Sequence, residues 1–262
     1  MKKYWITLGV ASALVLTSCG GGEKKEEKKA EAPAAAPAAA VDDANAATVT
    51  GKVAFTGEKP KPRTLSMDAT PACARAHPTP AKSEEVVVND NGTLRYTFVW
   101  VKAGVPDRQW PAPSGSVQLD QQGCMYKPHM LGVRAGQDIE VVNSDPTNHN
   151  IHPMPKDNRE WNESQPPKGD KKIKQFARQE VLIPVKCNVH PWMRSYIGVL
   201  KHPFFAVTGP DGVFTIKGLP PGTYTIAAWQ EKFGTVEQTV TVGAKETKSV
   251  DFTLSPPAGA GD

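Results

Sequence analysis

The stretch Cys187-Asn188-Val189-His190-Pro191-Trp192-Met193, read with His149-Asn150 upstream, decides what kind of fold this chain must build. A thiol, an imidazole and a thioether stand at positions 1, 4 and 7 of a tight loop, and a second imidazole lies 38 residues earlier. Two imidazoles and a thiolate in a plane, with a weak axial thioether, form the donor set of a mononuclear type 1 copper site. These donors suit both Cu(I) and Cu(II), so an electron moves with little change of geometry. In this reading Cys187 is the strong equatorial ligand, His149 and His190 complete the plane, and Met193 is axial. Pro191 and Trp192 form an apolar collar beside His190, a docking patch for a redox partner.

The first residues read as targeting, not fold. Lys2 and Lys3 precede an apolar run, Ile6 to Leu16, that is short for a membrane span. It ends in Leu16-Thr17-Ser18-Cys19, which resembles a bacterial lipobox. That resemblance implies a signal peptide over 1–18, lipid on Cys19, and a protein anchored in the cell envelope on the periplasmic side. Gly20 comes after the cysteine, which points to the inner face of the outer membrane in a two-membrane cell. Residues 19–47 are Gly, Lys, Glu, Ala and Pro, a disordered tether without the apolar residues needed to offset ordering entropy. Residues 1–47 hold six Lys and six Asp/Glu, so the net charge of +4 belongs to residues 48–262. A mildly basic surface fits an acidic protein partner, and nothing indicates nucleic acid.

The chain has four cysteines. Cys19 takes lipid and Cys187 takes metal, which leaves Cys73 and Cys124 as a candidate disulfide in an oxidising compartment. The alternative is a second metal site, since Cys73-x3-His77 and Cys124-x4-His129 each pair a thiol with an imidazole.

The roughly 215 residues after the tether suffice for one large or two small domains. With 24 Pro, 22 Gly and little helical periodicity, they read as all-β. Thr48 to Phe55 alternates as a strand. Lys59 to Pro80 carries five prolines and should be irregular. Glu85 to Val88 and Leu94 to Val101 flank Asn89-Asp90-Asn91-Gly92, a hairpin signal. Ser116 to Leu119, Met130 to Val133 and Asp138 to Asn143 are strands, the last delivering the chain to His149. Residues 153–176 are polar and Pro-rich, with Trp161 and Phe176 as anchors, and read as a long loop over the site. Val181 to Val185 leads into Cys187, and Tyr196 to Leu200 leaves Met193. From Phe204 onward, strands recur at short spacing, punctuated by Asp211-Gly212 and Leu219-Pro-Pro-Gly222, as in a small β-sandwich.

His149-Asn150-Ile151-His152 followed by Cys187-x2-His190-Pro191-Trp192-Met193 resembles the cupredoxins with an amicyanin-like ligand loop. The resemblance covers residues 116–202 and implies a Greek-key β-sandwich with one copper at one end. His152 competes for the place of first ligand; the Asn150 next to His149 matches the family pattern and favours His149. Asn150 is then expected to tie the two ligand loops together, with His152 beside them. His129 reads as a structural histidine and His202 as a junction residue. Residues 203–254 resemble the carboxypeptidase regulatory-like (transthyretin-like) modules, non-catalytic spacers or binding units, and the Thr48–Thr56 strand is expected to complete that sandwich. The expected organisation is therefore a β segment over 48–115 packed on the core, the copper domain at 116–202, the second sandwich at 203–254 and a flexible tail at 255–262.

No His-Glu-x-x-His, nucleophile elbow, phosphate loop or Cys-x-x-Cys-His haem motif is present. The chain reads as a monomeric, non-enzymatic electron carrier that meets a redox partner protein. A copper chaperone or buffer and a metal-free surface adaptor are the competing functions.

Overall fold

The computed structural model describes residues 44–111 and 113–256. The signal peptide, Cys19, most of the tether and the last six residues lie outside the described residues. In chain order the strands are β1 Ala47–Phe55, β2 Phe98–Ala103, β3 Val117–Gln121, β4 Tyr126–Lys127, β5 Met130–Arg134 and β6 Ile139–Asn143. They continue with β7 His149–Pro153, β8 Glu163–Gln165, β9 Lys172–Lys174, β10 Glu180–Lys186 and β11 Arg194–Leu200. The last six are β12 Phe205–Val207, β13 Val213–Leu219, β14 Gly222–Gln230, β15 Gly234–Val242, β16 Thr247–Ser249 and β17 Phe252–Leu254. A short helix, α1, spans Pro71–Arg75. The fold is all-β and consists of two sandwiches.

One sandwich pairs the sheet β5-β11-β10-β7-β8 with the sheet β4-β3-β6-β9. Alternate residues of these strands point inward, and Leu119, Val133, Val141, Ile151, Val185 and Ile197 meet in its core. The other sandwich has β13-β1-β16, with β17 also on β1, as one sheet and β12-β2-β14-β15 as the second. Its core includes Val49, Val53, Val99, Phe214, Ile226 and Phe252.

The linear division of domains is corrected by this topology. The segment 48–115 is not one unit. Strands β1 and β2 belong to the C-terminal sandwich, where β1 pairs β13 and β2 lies between β12 and β14. Residues 65–81, by contrast, contribute Leu65, Met67, Cys73 and Ala81 to the core of the other sandwich. The strands of the site-bearing sandwich are thus inserted into the connection between β2 and β12, and residues 65–81 join its core from the connection between β1 and β2.

The two sandwiches meet face to face. Phe98 and Trp100 of β2 point to the joint while Val99 and Val101 point into their own core. That is why Phe-Val-Trp-Val reads as an unbroken apolar run: the strand is buried on both faces. Across the joint, Gly132 of β5 and Gly198 of β11 are register partners. A Cβ at Gly198 would lie 2.5 Å from the Phe98 ring, and one at Gly132 would lie 2.5 Å from Phe205. The paired glycines form a slot that only hydrogen atoms could leave open for these rings. His129 and Glu231 add a buried ion pair at 2.5 Å across the same joint.

Three local expectations change. The Asn89–Gly92 turn forms, with Gly92 N–H donating to Asn89 O at 3.0 Å, but only the Val88–Leu94 bridge extends it. Tyr96 takes φ 60, which turns the chain, and β2 begins at Phe98. Residues 153–176 are not a free loop: β8 extends one sheet beside β7, β9 extends the other beside β6, and Phe176 is buried. Strands β16 and β17 pair β1 in parallel and, at three residues each, are too short to show a periodicity.

Candidate metal centre

Strand pairing converges the predicted donors on one end of the inserted sandwich. β10 pairs β7 on one side and β11 on the other, so the loop after β10 and the start of β7 are neighbours. The Cys187–Met193 loop closes on itself. Cys187 N–H donates to Met193 O at 3.2 Å, Met193 N–H to His190 O at 3.0 Å, and His190 N–H to Cys187 Sγ at 3.4 Å. Asn150 joins the two ligand segments, accepting at Oδ1 from Asn188 N–H at 3.0 Å while its Nδ2 donates to Glu163 O and to Asn162.

His149, Cys187 and His190 offer three ligand atoms all within 4.8 Å of one another. The two imidazole Nδ1 atoms face each other at 3.0 Å, and Cys187 Sγ is 4.0 Å from His190 Nδ1. His149, Cys187, His190 and Met193 are 0%, 4%, 2% and 1% exposed. Cys187 is the free cysteine, and Met193 lies in the same apolar cluster. The two imidazole nitrogens face each other beside a buried thiol. They form a soft, compact donor set that fits copper.

Asp145, which no sequence motif marks, fixes this arrangement. Its Oδ2 accepts from His149 Nε2 at 2.8 Å, which leaves the His149 Nδ1 lone pair for the donor cluster. The same carboxylate accepts from the Gly123 and Cys124 amides, each at 2.7 Å. Burial works against the Asp145 charge, but His149 and these two amides outweigh it and hold the carboxyl below its ordinary range. Burial likewise opposes the Cys187 thiolate, yet His149 and nearby backbone N–H groups lower its pKa. A lowered thiol pKa favours the form that binds metal. The signal for Asp145 is its place four residues before His149, which the turn at Asn143–Asp145 converts into contact.

Tyr126 is a second contributor without a motif. It is 1% exposed, and its hydroxyl reaches both Asn150 O and Lys186 O, the carbonyls next to His149 and Cys187.

The other candidate residues lie outside the donor cluster. His152 Nε2 contacts Glu160 at 2.5 Å, and its ring takes no part in the cluster. Cys73 and Cys124 form a disulfide, so the second metal pairing does not arise. His77 instead contacts Gly123 O at 2.7 Å and His129 contacts Glu231. His202 is buried beside Phe204, with its pKa pushed down to about 4 by desolvation. Pro191 is exposed, but Trp192 is half-buried and donates Nε1–H to Cys124 O at 3.0 Å, so the collar faces the disulfide loop. Val189 is the exposed apolar residue of the loop, at 53%.

Residues 201–255 match the model of the carboxypeptidase regulatory-like domain, as the resemblance at 203–254 implied. No curated protein matches the chain. Among solved structures, a copper-containing nitrite reductase from Thermus scotoductus aligns at 18% identity and a TM-score of 0.31, over 37% of this chain and 25% of that one. The chain therefore spans a quarter of the reductase's length. A reduced-state amicyanin variant aligns at 18% identity and 0.29, over 38% of this chain and 97% of that one. A purple cupredoxin from Nitrosopumilus maritimus aligns at 20% identity and 0.28, over 32% and 99% respectively.

Proposed function

We propose that this protein holds one copper ion through His149, Cys187, His190 and Met193 and passes single electrons without breaking any bond in a substrate. The observation that carries this reading is the pair of buried Nδ1 atoms 3.0 Å apart beside the buried free thiol of Cys187. Copper bound there would supply one-electron chemistry between Cu(II) and Cu(I). The chain's own residues keep the donors in place. Asp145 orients His149, Asn150 binds the first ligand segment to the second, and the closed Cys187–Met193 loop leaves its ligands little freedom. Burial keeps water from the donors. Donors tied down by this many backbone and side-chain bonds suit electron transfer better than delivery of the ion to an acceptor.

The same reading places the protein in the cell envelope, anchored by lipid on Cys19, with the tether giving reach and the C-terminal sandwich acting as a non-catalytic spacer. Its partner would be a redox protein with an acidic surface.

Visible and EPR spectra of the full chain after addition of Cu(II), and then of ascorbate, test this. An intense blue band with narrow hyperfine splitting, bleached reversibly and lost in Cys187→Ala, is the expected result. A weak Cu(II) signal indifferent to Cys187 would overturn it and favour copper handling or a metal-free adaptor.

A further inference from the structure

Cys73, which touches the outer edge of His190, belongs to a segment that takes no part in either sandwich's sheets. Cys73 Sγ lies 3.7 Å from His190 Nε2, the ring edge that faces away from the donor cluster. The disulfide also reaches the opposite imidazole, because the Cys124 amide holds Asp145 and Asp145 holds His149. Leu65, Met67 and Cys73 are buried in the same cluster as Cys187 and Met193. The backbone bonds made by residues 59–83 run among themselves: Leu65 N–H to Ala81 O at 2.8 Å, Ser83 N–H to Arg63 O at 2.8 Å, and the turns around α1. This strap is held down by apolar packing, by the His77 contact with Gly123 O and by the disulfide, not by sheet pairing. A segment with that mode of attachment can lift as a unit without breaking a sheet.

We infer that the strap 59–83 is a lid over the metal centre and that the Cys73–Cys124 disulfide locks it, so that the bond controls exchange of the metal. This rests on the reading of His149, Cys187 and His190 as ligands. Cys73 and Cys124 are 0% and 1% exposed when joined, so the bond is made while the strap is raised. One thiolate attacks the disulfide of a thiol oxidoreductase to form a mixed disulfide, and the second attacks the sulfur of its partner cysteine in that bond, forming Cys73–Cys124 and expelling the oxidoreductase thiolate. The two electrons and two protons leave on the oxidoreductase as a dithiol. With the lid locked, His190 is shut from solvent and the metal neither enters nor leaves quickly.

The test compares metal-free wild type with the Cys73→Ser/Cys124→Ser double variant, reading the rate at which iodoacetamide alkylates Cys187. The lid predicts alkylation at least about tenfold faster in the folded variant. In the copper-loaded proteins, bicinchoninate should remove Cu(I) faster from the variant than from wild type. Equal alkylation rates in two folded proteins would overturn the lid. Should the variant fail to fold, hydrogen exchange on wild type before and after reduction of the disulfide decides: strap amides that exchange faster after reduction while those of β10 and β11 hold support the lid, and strap exchange that is unchanged, or that speeds up together with β10 and β11, overturns it. Alkylation and hydrogen exchange need no copper, so absence of the blue band would fail the ligand reading without failing the lid.

Discussion

Asp145 carries three acceptor contacts at once, from His149 Nε2 and from two backbone amides, and it is 5% exposed. Asp145→Ala leaves those donors unpaired. The expected loss is about 1–3 kcal/mol of stability and roughly 10–100-fold in metal affinity, read by urea denaturation and by competition with a chelator. Tyr126→Phe removes only the hydroxyl from a filled core position, so about 1 kcal/mol should be lost with the packing intact. If Tyr126 serves only as packing, the variant's urea midpoint will match wild type.

His202 sets a pH dependence whose sign comes from its burial. Its folded pKa is pushed down to about 4, whereas in the unfolded chain it takes a proton near the ordinary histidine value. Stability is therefore complete above about pH 6.5 and is lost as pH falls from there toward 4, by roughly 3 kcal/mol in all. His202→Asn should lose that part of the acid sensitivity, seen as a smaller shift of the urea midpoint between neutral and acid buffer. An unchanged shift would mean that His202 does not bear it. His129 acts in the opposite sense. Burial would lower its pKa, but Glu231 outweighs burial and raises it, so its contribution weakens as pH rises.

At the scale of elements, the joint between the sandwiches depends on the absence of two side chains. Gly198→Ala drives a methyl group to within 2.5 Å of the Phe98 ring, and the ring has Trp100 and Phe205 around it. Overpacking of this kind costs about 1–3 kcal/mol. Thermal denaturation of the variant checks it. Reduction of the neighbouring bulk by Phe98→Leu in the same chain should return part of the loss, because the clash and the glycine share one slot. The ligand loop shows the same dependence of element on neighbour: its ends are set by β10 and β11, and β11 is held in parallel by β5 behind it.

For the whole molecule, the nested topology makes the C-terminal sandwich discontinuous. Residues 203–256 alone lack β1, the central strand of one sheet, and β2, an inner strand of the other. That fragment should be largely unfolded by circular dichroism, with Phe214, Ile226 and Phe252 left without Val49, Val53 and Val99. Joining residues 45–105 to it through a short flexible linker should restore a cooperative β-sheet transition. A fragment 203–256 that folds unaided would show that β1 and β2 are accessories to this sandwich.

Local spacing by itself marked Cys187, His190 and Met193 as one group of candidate donors, because residues in one tight loop need only a few positions to meet. It also marked most strands, since inward and outward positions alternate along the same short segment, and it left Cys73 and Cys124 as natural partners. Tertiary structure alone decided everything that rests on distant pairing. Whether His149 or His152 turns inward depends on the face that β7 presents once β10 pairs with it. The place of β2 in the C-terminal sandwich, the strap against His190 and the Asp145 bridge from the disulfide loop to His149 all join segments far apart in the chain. Periodicity records which face of a strand is apolar but not which partner covers it, so these contacts carry no local signal.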